Sequence, residues 1–539
     1  MWLIDTTTLR LVEVRGPENQ PYVALSHTWI EGEEVSFQEI WHPDTIRQKA
    51  GWAKITNTCR LARERDPPIL FAWVDTCCID KTSSASLSEA INSMFFWYQQ
   101  AAVCYVYLSD LRAPENPAQL QLEFCRWFGR GWTLQELIAP SYVEFYDKFW
   151  ICFGTKASLS SILSSVTRID PVVLADCSLL PSIPVARRMS WAATRKTTRT
   201  EDLAYCLFGI FNVHLPLIYG EGEKAFIRLQ EAIAQDTPDL TLFAWTAPED
   251  QKYRGILARS PEEFKSCDDI HRVVTPADSL EGFAFTNNGL QITTNLHPTK
   301  IGEDDYNYLM DLKCVDLSSR QSDGMYRSVY VRLAKCSRGY IRYRYTTPVL
   351  SSMGLWTLKP RTIRIPKLLS TAESQLFETT LPYLFSVVVQ NQSGCEMAPT
   401  EYQPDHLWNS RCLSFITERH AAFTASIKLK IRMRTKATAD VLGFMSSPPA
   451  VYPLVTVEIG LGGAPRSTRH PVYGAGSRIL GPWSFLWSEG GKPDQPRTPP
   501  STSLTLRGRD DLKVSVSTTT TQRSGFETYG VVIDIRKAE

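Results

Sequence analysis

Four short apolar runs, separated by segments with helical spacing, constrain the fold of the first 150 residues most strongly. The runs are rich in β-branched and aromatic residues, as buried strands are. They lie at residues 22–25, 69–74, 103–108 and 142–146. Strands that alternate with helices are typical of a parallel sheet with helices on both faces. The sequence therefore predicts an N-terminal α/β domain built on such a sheet.

The helix between the second and third runs has the clearest pattern. Its apolar residues follow the i, i+3, i+4 spacing of one helix face. They are Leu87, Ala90, Ile91, Met94, Phe95 and Tyr98. Ser86 and Glu89 have the spacing of a capping box, so we expect Ser86 to cap this helix. Further helices are predicted over residues 45–64 and from about Leu120.

The pattern changes near Thr246, which predicts a domain boundary. Before it, residues 185–235 have helical spacing, with a second capping-box pair at Thr198 and Glu201. After it, short runs in which apolar and polar residues alternate dominate, and Asn288-Gly289 is typical of a hairpin turn. We therefore expect an all-β, sandwich-like C-terminal region. The predicted units are an α/β domain (1–180), a helical segment packed on it (181–245), a β-rich domain (246–488), a Pro-, Gly- and Ser-rich linker (489–503) and terminal strands (504–539).

Composition excludes several functional classes. The chain has 58 Lys and Arg against 57 Asp and Glu, so it lacks the basic field that nucleic-acid binding needs. It has no N-terminal signal pattern, and its apolar stretches fall short of the roughly 18 residues of a membrane span. The 13 cysteines show no CxxC spacing, which favours reduced thiols over disulfides or a metal site. We expect a cytoplasmic protein without a membrane span, a metal or a nucleic-acid partner.

Polar residues follow the first three apolar runs directly. In an open parallel sheet, ligands bind beyond the carboxyl ends of the strands, so these residues should share one rim. They are Ser26, His27 and Trp29 after the first run, Asp75 and Cys77 after the second, and Asp110 after the third. Simpler roles remain open: the two aspartates could cap helices or form turns, and His27 and Cys77 could be core residues.

A fourth feature is the segment at 130–137, where Trp132 and Glu136 stand four residues apart and share a helix face. An aromatic wall beside a carboxylate suits a sugar or nucleotide pocket. Alternatively, Glu136 could be a surface carboxylate paired with Arg126 or Arg130.

These blocks resemble a known family. YVALSHTW (22–29), WVDTCCIDK (73–81) and RGWTLQEL (130–137) are similar to the signature blocks of the fungal heterokaryon-incompatibility (HET) domain. The resemblance continues to residue 222 and covers roughly the first 245 residues. Members of this family trigger growth arrest or programmed cell death when incompatible fungal cells fuse. The resemblance therefore implies an effector of non-self recognition, with protein partners or self-association through the HET domain.

The HET domain is in turn similar to Toll/interleukin-1-receptor (TIR) domains. Trp132-x-Leu134-x-Glu136-Leu137 resembles the helix that carries the catalytic glutamate in TIR enzymes that cleave NAD. The resemblance implies a TIR- or flavodoxin-like sheet and NAD glycohydrolase activity, with NAD as substrate and without a cofactor or metal. Glu136 would be the catalytic carboxylate beside the oxocarbenium-like centre. The substrate-binding residues would be Trp132, Ser26, His27, Trp29, Asp75, Cys77 and Asp110.

One departure from the family pattern keeps another function open. Ile30 stands where family members often have glycine, and Gly32 follows two positions later, which alters a loop that could approach a ligand closely. A degenerate member without activity is therefore possible. The alternative function is a non-catalytic signalling module that docks by homotypic protein–protein interaction. For either function, we expect regulation to come from the β-rich region or another protein.

Overall fold

The structure is a computed structural model that describes most of the chain. The described residues are 1–16, 20–114, 120–248, 250–273, 282–298, 307–320, 326–336, 339–343, 349–351, 360–379, 383–391, 396–403, 407–409, 414–417, 423–432, 454–462, 474–480, 502–506, 512–523 and 526–537. The linker predicted at 489–503 lies outside them except for its last two residues.

The N-terminal part alternates strands and helices. Its strands are β1 (Trp2–Asp5), β2 (Leu11–Glu13), β3 (Tyr22–His27), β4 (Phe71–Val74), β5 (Val103–Tyr107), β6 (Val143–Tyr146) and β7 (Cys152–Thr155). Its helices are α1 (Pro43–Ile46), α2 (Ala50–Arg63), α3 (Ser84–Gln100), α4 (Thr133–Ile138), α5 (Ser160–Thr167), α6 (Pro171–Ala175), α7 (Val185–Ser190), α8 (Asp202–Tyr205), α9 (Phe208–Phe211) and α10 (Lys224–Asp236).

These strands form one sheet in the order β2-β1-β4-β3-β5-β6-β7. The four strands β4, β3, β5 and β6 are mutually parallel, and every residue of β3 is buried. The predicted parallel sheet flanked by helices is therefore confirmed. Strands β1, β2 and β7 add antiparallel edges that the sequence analysis missed. They are only three or four residues long. Strands β2 and β7 are partly exposed, and the apolar run of the buried strand β1 is only three residues long.

Two helix predictions need correction. The helix α3 is present but begins before the predicted capping box, because the Ser83 side chain accepts a hydrogen bond from the Ser86 N–H and so caps the helix. The single helix predicted from about Leu120 is instead two 3₁₀ turns, Leu122–Phe124 and Arg126–Gly129, followed by α4. Cys125, between the two turns, and Arg130, after them, have extended backbone, which interrupts the helix.

Two buried cations hold the short helix α4 at its ends. Arg195 Nη1 donates to the carbonyl of Arg130 and to Thr133 Oγ1, both at 2.9 Å, next to the first turn. Lys156 Nζ donates to the carbonyls of Leu137 (3.3 Å), Ile138 and Pro140 at the other end. Burial lowers the pKa of Arg195 to about 10 and that of Lys156 to about 8. A six-residue helix is unstable by itself, so α4 depends on these contacts and on the packing of its six buried residues.

The helical segment after the sheet contacts α4 through Arg195, and its helix α9 contacts α3. Within this segment the predicted capping box at Thr198 and Glu201 is wrong. Glu201 Oε1 accepts hydrogen bonds from the N–H groups of Gly220 (2.7 Å) and Gly222 (3.0 Å) instead. Both glycines have positive φ, +100° and +60°, which this loop conformation requires.

The remaining described residues are β-rich. The strands are β8 (Tyr253–Arg254), β9 (Ile270–Arg272), β10 (Phe283–Thr286), β11 (Gly289–Thr294), β12 (Leu296–Pro298), β13 (Asn307–Asp316), β14 (Arg327–Cys336), β15 (Gly339–Tyr343), β16 (Val349–Ser351), β17 (Arg361–Ile365), β18 (Tyr383–Asn391), β19 (Glu396–Gln403), β20 (Trp408–Asn409), β21 (Ser414–Thr417), β22 (Phe423–Arg432), β23 (Leu454–Gly462), β24 (Gly474–Leu480), β25 (Thr502–Leu506), β26 (Leu512–Arg523) and β27 (Phe526–Lys537). They form four sheets.

The predicted hairpin at Asn288-Gly289 is confirmed, because β10 and β11 pair around it and Gly289 has φ +102°. The region is not wholly β, since it contains the helix α11 (Thr371–Thr379). The terminal strand β27 pairs in parallel with β18. None of the helices in the described ranges is both long enough and apolar enough to cross a membrane.

The packing of α9 against α3 yields a stability prediction. A Cβ added at Gly209 would lie 2.1 Å from Cβ of Phe95, so Gly209→Ala overpacks this interface. Overpacking costs about 1–3 kcal/mol, and we expect that loss in the free energy of unfolding, measured in urea by tryptophan fluorescence. The matched control is Gly129→Ala, where an added Cβ meets nothing within 4 Å. An equal loss in both variants would contradict the prediction.

Candidate functional site

The candidate site lies where the order of the parallel strands reverses. Strand β3 continues to β4 on one side and to β5 on the other, and the crevice at their carboxyl ends is the usual ligand site of such sheets. Ser26 and His27 end β3, and Asp75 directly follows β4. Helix α4 packs on β3 and adds Glu136.

Glu136 is a buried carboxyl group that shares a hydrogen bond with Ser26. Ser26 Oγ donates to Glu136 Oε2, and Trp127 Nε1 donates to Ser26 Oγ at 2.7 Å. Glu136 is only 5% exposed. Burial, with the negative charge of Asp75, raises the pKa of Glu136 to about 8, and Arg130 and Ser26 offset this only in part. At neutral pH Glu136 is therefore mostly a neutral acid and not a surface carboxylate.

Asp75 is the second carboxyl group of the site, and its environment favours the opposite ionisation state. His27 Nε2 lies 3.3 Å from Oδ1, and Trp29 Nε1 donates to Oδ2 at 3.1 Å. Burial acts to raise the pKa of Asp75, but the hydrogen bond with His27 and the positive charges of Lys81 and Arg130 outweigh it. The pKa of Asp75 is lowered as a result.

A buried lysine supports His27 from the side opposite Asp75. Lys54 Nζ, on α2, lies 3.2 Å from His27 Nδ1 and donates to the carbonyl of Thr28 at 3.0 Å and to Glu34 Oε1. Burial lowers the pKa of Lys54, while the hydrogen bond and charge of Glu34 oppose that effect. Sequence spacing does not distinguish Lys54 from the other polar residues of its helix.

Trp29 forms the outer rim of the site and is 42% exposed. Lys81 Nζ lies 3.9 Å from the centre of its ring and the Arg130 guanidinium carbon 5.3 Å from it. Arg130 Nη1 also donates to the carbonyl of His27 at 3.1 Å. The rim thus combines an aromatic ring, two cations and the partly exposed Asp75.

Three of the predicted site residues have other contacts. Trp132 precedes α4 and hydrogen-bonds to Asp202 of the helical segment. Cys77 is fully buried, and burial raises the pKa of its thiol well above the usual value, which disfavours a thiolate nucleophile. Asp110 accepts a hydrogen bond from the backbone N–H of Arg126 at 2.9 Å.

The structure therefore brings Ser26, His27, Trp29, Asp75 and Glu136 together. Trp127, and not the predicted Trp132, is the second tryptophan in contact with this group, through its hydrogen bond to Ser26. Trp127 sits in a 3₁₀ turn with no helical periodicity, so its sequence context contains no signal for this contact.

Two segments of the chain match known protein families. Residues 22–123 match the family model described as heterokaryon incompatibility protein (HET), and residues 224–255 match a domain of unknown function (DUF8212). Residues 22–123 are therefore similar to the HET domain. The HET match includes Ser26, His27, Trp29 and Asp75 and ends before Glu136.

One relative is similar to part of the chain. Over 242 residues the chain is 47% identical to the vegetative incompatibility protein HET-E-1 of Podospora anserina. The alignment covers 43% of this chain and 18% of that protein, so the chain spans less than a fifth of the relative's length. No solved structure matches the chain.

The raised pKa of Glu136 predicts a pH-dependent stability difference. Its pKa is about 8 in the folded protein and 4.5 ordinarily, so the folded state retains a proton that the unfolded state releases between these values. Stability from this group therefore falls as pH rises from 4.5 to 8. Glutamine does not titrate, so the urea midpoint of Glu136→Gln should rise relative to wild type between pH 5 and pH 8.

The exposed Glu89 provides the control on α3. The urea midpoint of Glu89→Gln should differ from that of wild type by the same amount at pH 5 and at pH 8. If the midpoint difference for Glu136→Gln is also constant with pH, Glu136 does not carry a raised pKa.

Proposed function

We propose that this chain is a HET-domain effector of heterokaryon incompatibility and programmed cell death that acts by TIR-like hydrolysis of NAD. The HET match and the identity to HET-E-1 support the biological part of the proposal. One observation supports the chemistry most directly: two carboxyl groups with oppositely shifted pKa values, Glu136 and Asp75, lie at the carboxyl edge of the sheet. Two carboxyl groups with pKa values shifted in opposite directions are typical of active sites in which one group stays protonated and the other is an anion.

The strand order supports a nucleotide ligand. The parallel strands run β4-β3-β5-β6, which is second, first, third, fourth in chain order. Flavodoxin-like sheets have this order and bind their nucleotide cofactor at the switch between the first and third strands. Ser26 and Glu136 lie at that switch.

The reaction we propose is cleavage of the glycosidic bond between ribose C1 and the pyridinium nitrogen of NAD. The bonding pair goes to nitrogen, which neutralises nicotinamide, and C1 becomes oxocarbenium-like. Water adds to C1 and releases a proton to solvent. The neutral Glu136 and Ser26 would hydrogen-bond the ribose hydroxyls, and Trp29 would form the pocket wall.

The site is closed in this structure, which suggests how activity would be controlled. Ser26 is completely buried and Glu136 nearly so, and Arg130 bridges from the start of α4 to His27 and Trp29. A substrate reaches Glu136 only if this cover moves. We propose that self-association through the HET domain, or a partner protein in the cytoplasm, opens it and that the β-rich region regulates this step.

Nicotinamide release by the purified full chain tests the chemistry. With NAD as substrate, Glu136→Ala should lower the rate about 100-fold or more, because it removes the carboxyl group that hydrogen-bonds the reacting ribose. Glu89→Ala, the same change at an exposed position, should leave the rate unchanged. Equal rates in wild type and Glu136→Ala would contradict a catalytic role for Glu136.

The same pair of variants, expressed in fungal cells, separates the two functional classes. Loss of cellular NAD that precedes death, and occurs with wild type and Glu89→Ala but not with Glu136→Ala, would support the enzyme. Death at unchanged NAD would contradict the proposal and favour the non-catalytic docking module.

A further inference from the structure

The hydrogen bonds of Lys54 determine where the proton of His27 lies. A lysine ammonium has three N–H donors and no acceptor. Lys54 Nζ has three acceptors within reach: Glu34 Oε1, the Thr28 carbonyl at 3.0 Å and His27 Nδ1 at 3.2 Å. Because Lys54 can only donate, His27 Nδ1 must accept. The ring proton of a neutral His27 is therefore on Nε2.

This tautomer determines the role of Asp75. Nε2 lies 3.3 Å from Asp75 Oδ1, so its proton points to that oxygen. The other oxygen, Oδ2, accepts from Trp29 Nε1 at 3.1 Å. A carboxyl group whose two oxygens both accept N–H hydrogen bonds is stabilised as an anion. The side chain of Asp75 retains 14% exposure, so the anion is at the surface of the site.

We propose that Asp75 is the anionic group of this site, held in place by Lys54 through His27, and that it recognises the positively charged pyridinium riboside of the ligand. The inference rests on the proposed function and refines it, because the anion that the resemblance assigned to Glu136 is supplied by Asp75. Lys54 is a positioning residue that acts through His27. Glu136 then acts as a neutral hydrogen-bonding acid.

The charges around the site are consistent with an anion at Asp75 and a neutral acid at Glu136. Lys54 and Glu34 face His27 from α2 and from the loop after β3. Lys81, from the loop after β4, and Arg130, before α4, place positive charge near Asp75, whereas Glu136 faces it from α4. An anion at Asp75 disfavours a second anion at Glu136, since like charges at close range seldom ionise together.

The first test measures the His27 tautomer by ¹⁵N NMR of the full chain with labelled histidine. His27 is assigned by the signal that is lost in His27→Gln. We expect Nδ1 to have the shift of an unprotonated nitrogen and Nε2 that of a protonated one. In Lys54→Met, the Nδ1 shift should move toward the protonated value. Arg60→Met, a change at a partly exposed position on the same helix, should leave both shifts unchanged. A protonated Nδ1 in wild type, or no shift in Lys54→Met, would overturn the role of Lys54.

The second test compares binding of NAD⁺, whose nicotinamide ring is positive, with NADH, whose ring is neutral. Wild type should bind NAD⁺ at least tenfold more tightly than NADH, and Asp75→Asn should remove that difference. Equal affinities in wild type, or no binding of either, would overturn the role of Asp75. Neither test measures hydrolysis. If both succeed while NAD is not cleaved, the proposed catalytic function fails and the binding role of Asp75 stands.

Discussion

The burial of polar residues at the end of the central strand β3 is the constraint on which the site depends. Ser26 and His27 are almost completely excluded from solvent. Buried polar groups without hydrogen bonds cost roughly 2–7 kcal/mol, so other segments must supply partners. Trp127 and Glu136 satisfy Ser26, while Lys54 and Asp75 satisfy His27. The arrangement of both carboxyl groups follows from this requirement.

Helix α4 shows that the site extends beyond the sheet. Its six residues are held by Arg195 at one end and Lys156 at the other, and the Gln135 side chain donates to the carbonyl of Cys206 at 2.7 Å. The HET match ends at residue 123, yet Glu136 and these supporting residues follow it. The environment of Glu136 therefore depends on residues of the helical segment. A substitution of Arg195 would alter the position of α4, and so of Glu136, although Arg195 does not line the site.

The fold of the N-terminal part was largely predictable because its signals are local. A buried parallel strand needs a continuous apolar run, and the four runs correspond to β3, β4, β5 and β6. Local signals were weaker at helix starts. Ser86 and Glu89 have capping-box spacing, but Ser83 caps α3, since several serines in that segment offer the same short side chain. The edge strands β2 and β7 were missed because short, partly exposed strands resemble loops in sequence, and β1 was missed because its apolar run is only three residues long.

For the site, the sequence by itself determined which polar residues follow the strands and therefore which could share a rim. It could not show that Trp127 rather than Trp132 reaches Ser26, nor that Lys54 supports His27, because these contacts join residues 101 and 27 positions apart. The tertiary structure also decided the ionisation states. A pKa depends on burial and on charges brought from distant segments, so two carboxyl groups with similar ordinary values become a neutral acid at Glu136 and an anion at Asp75.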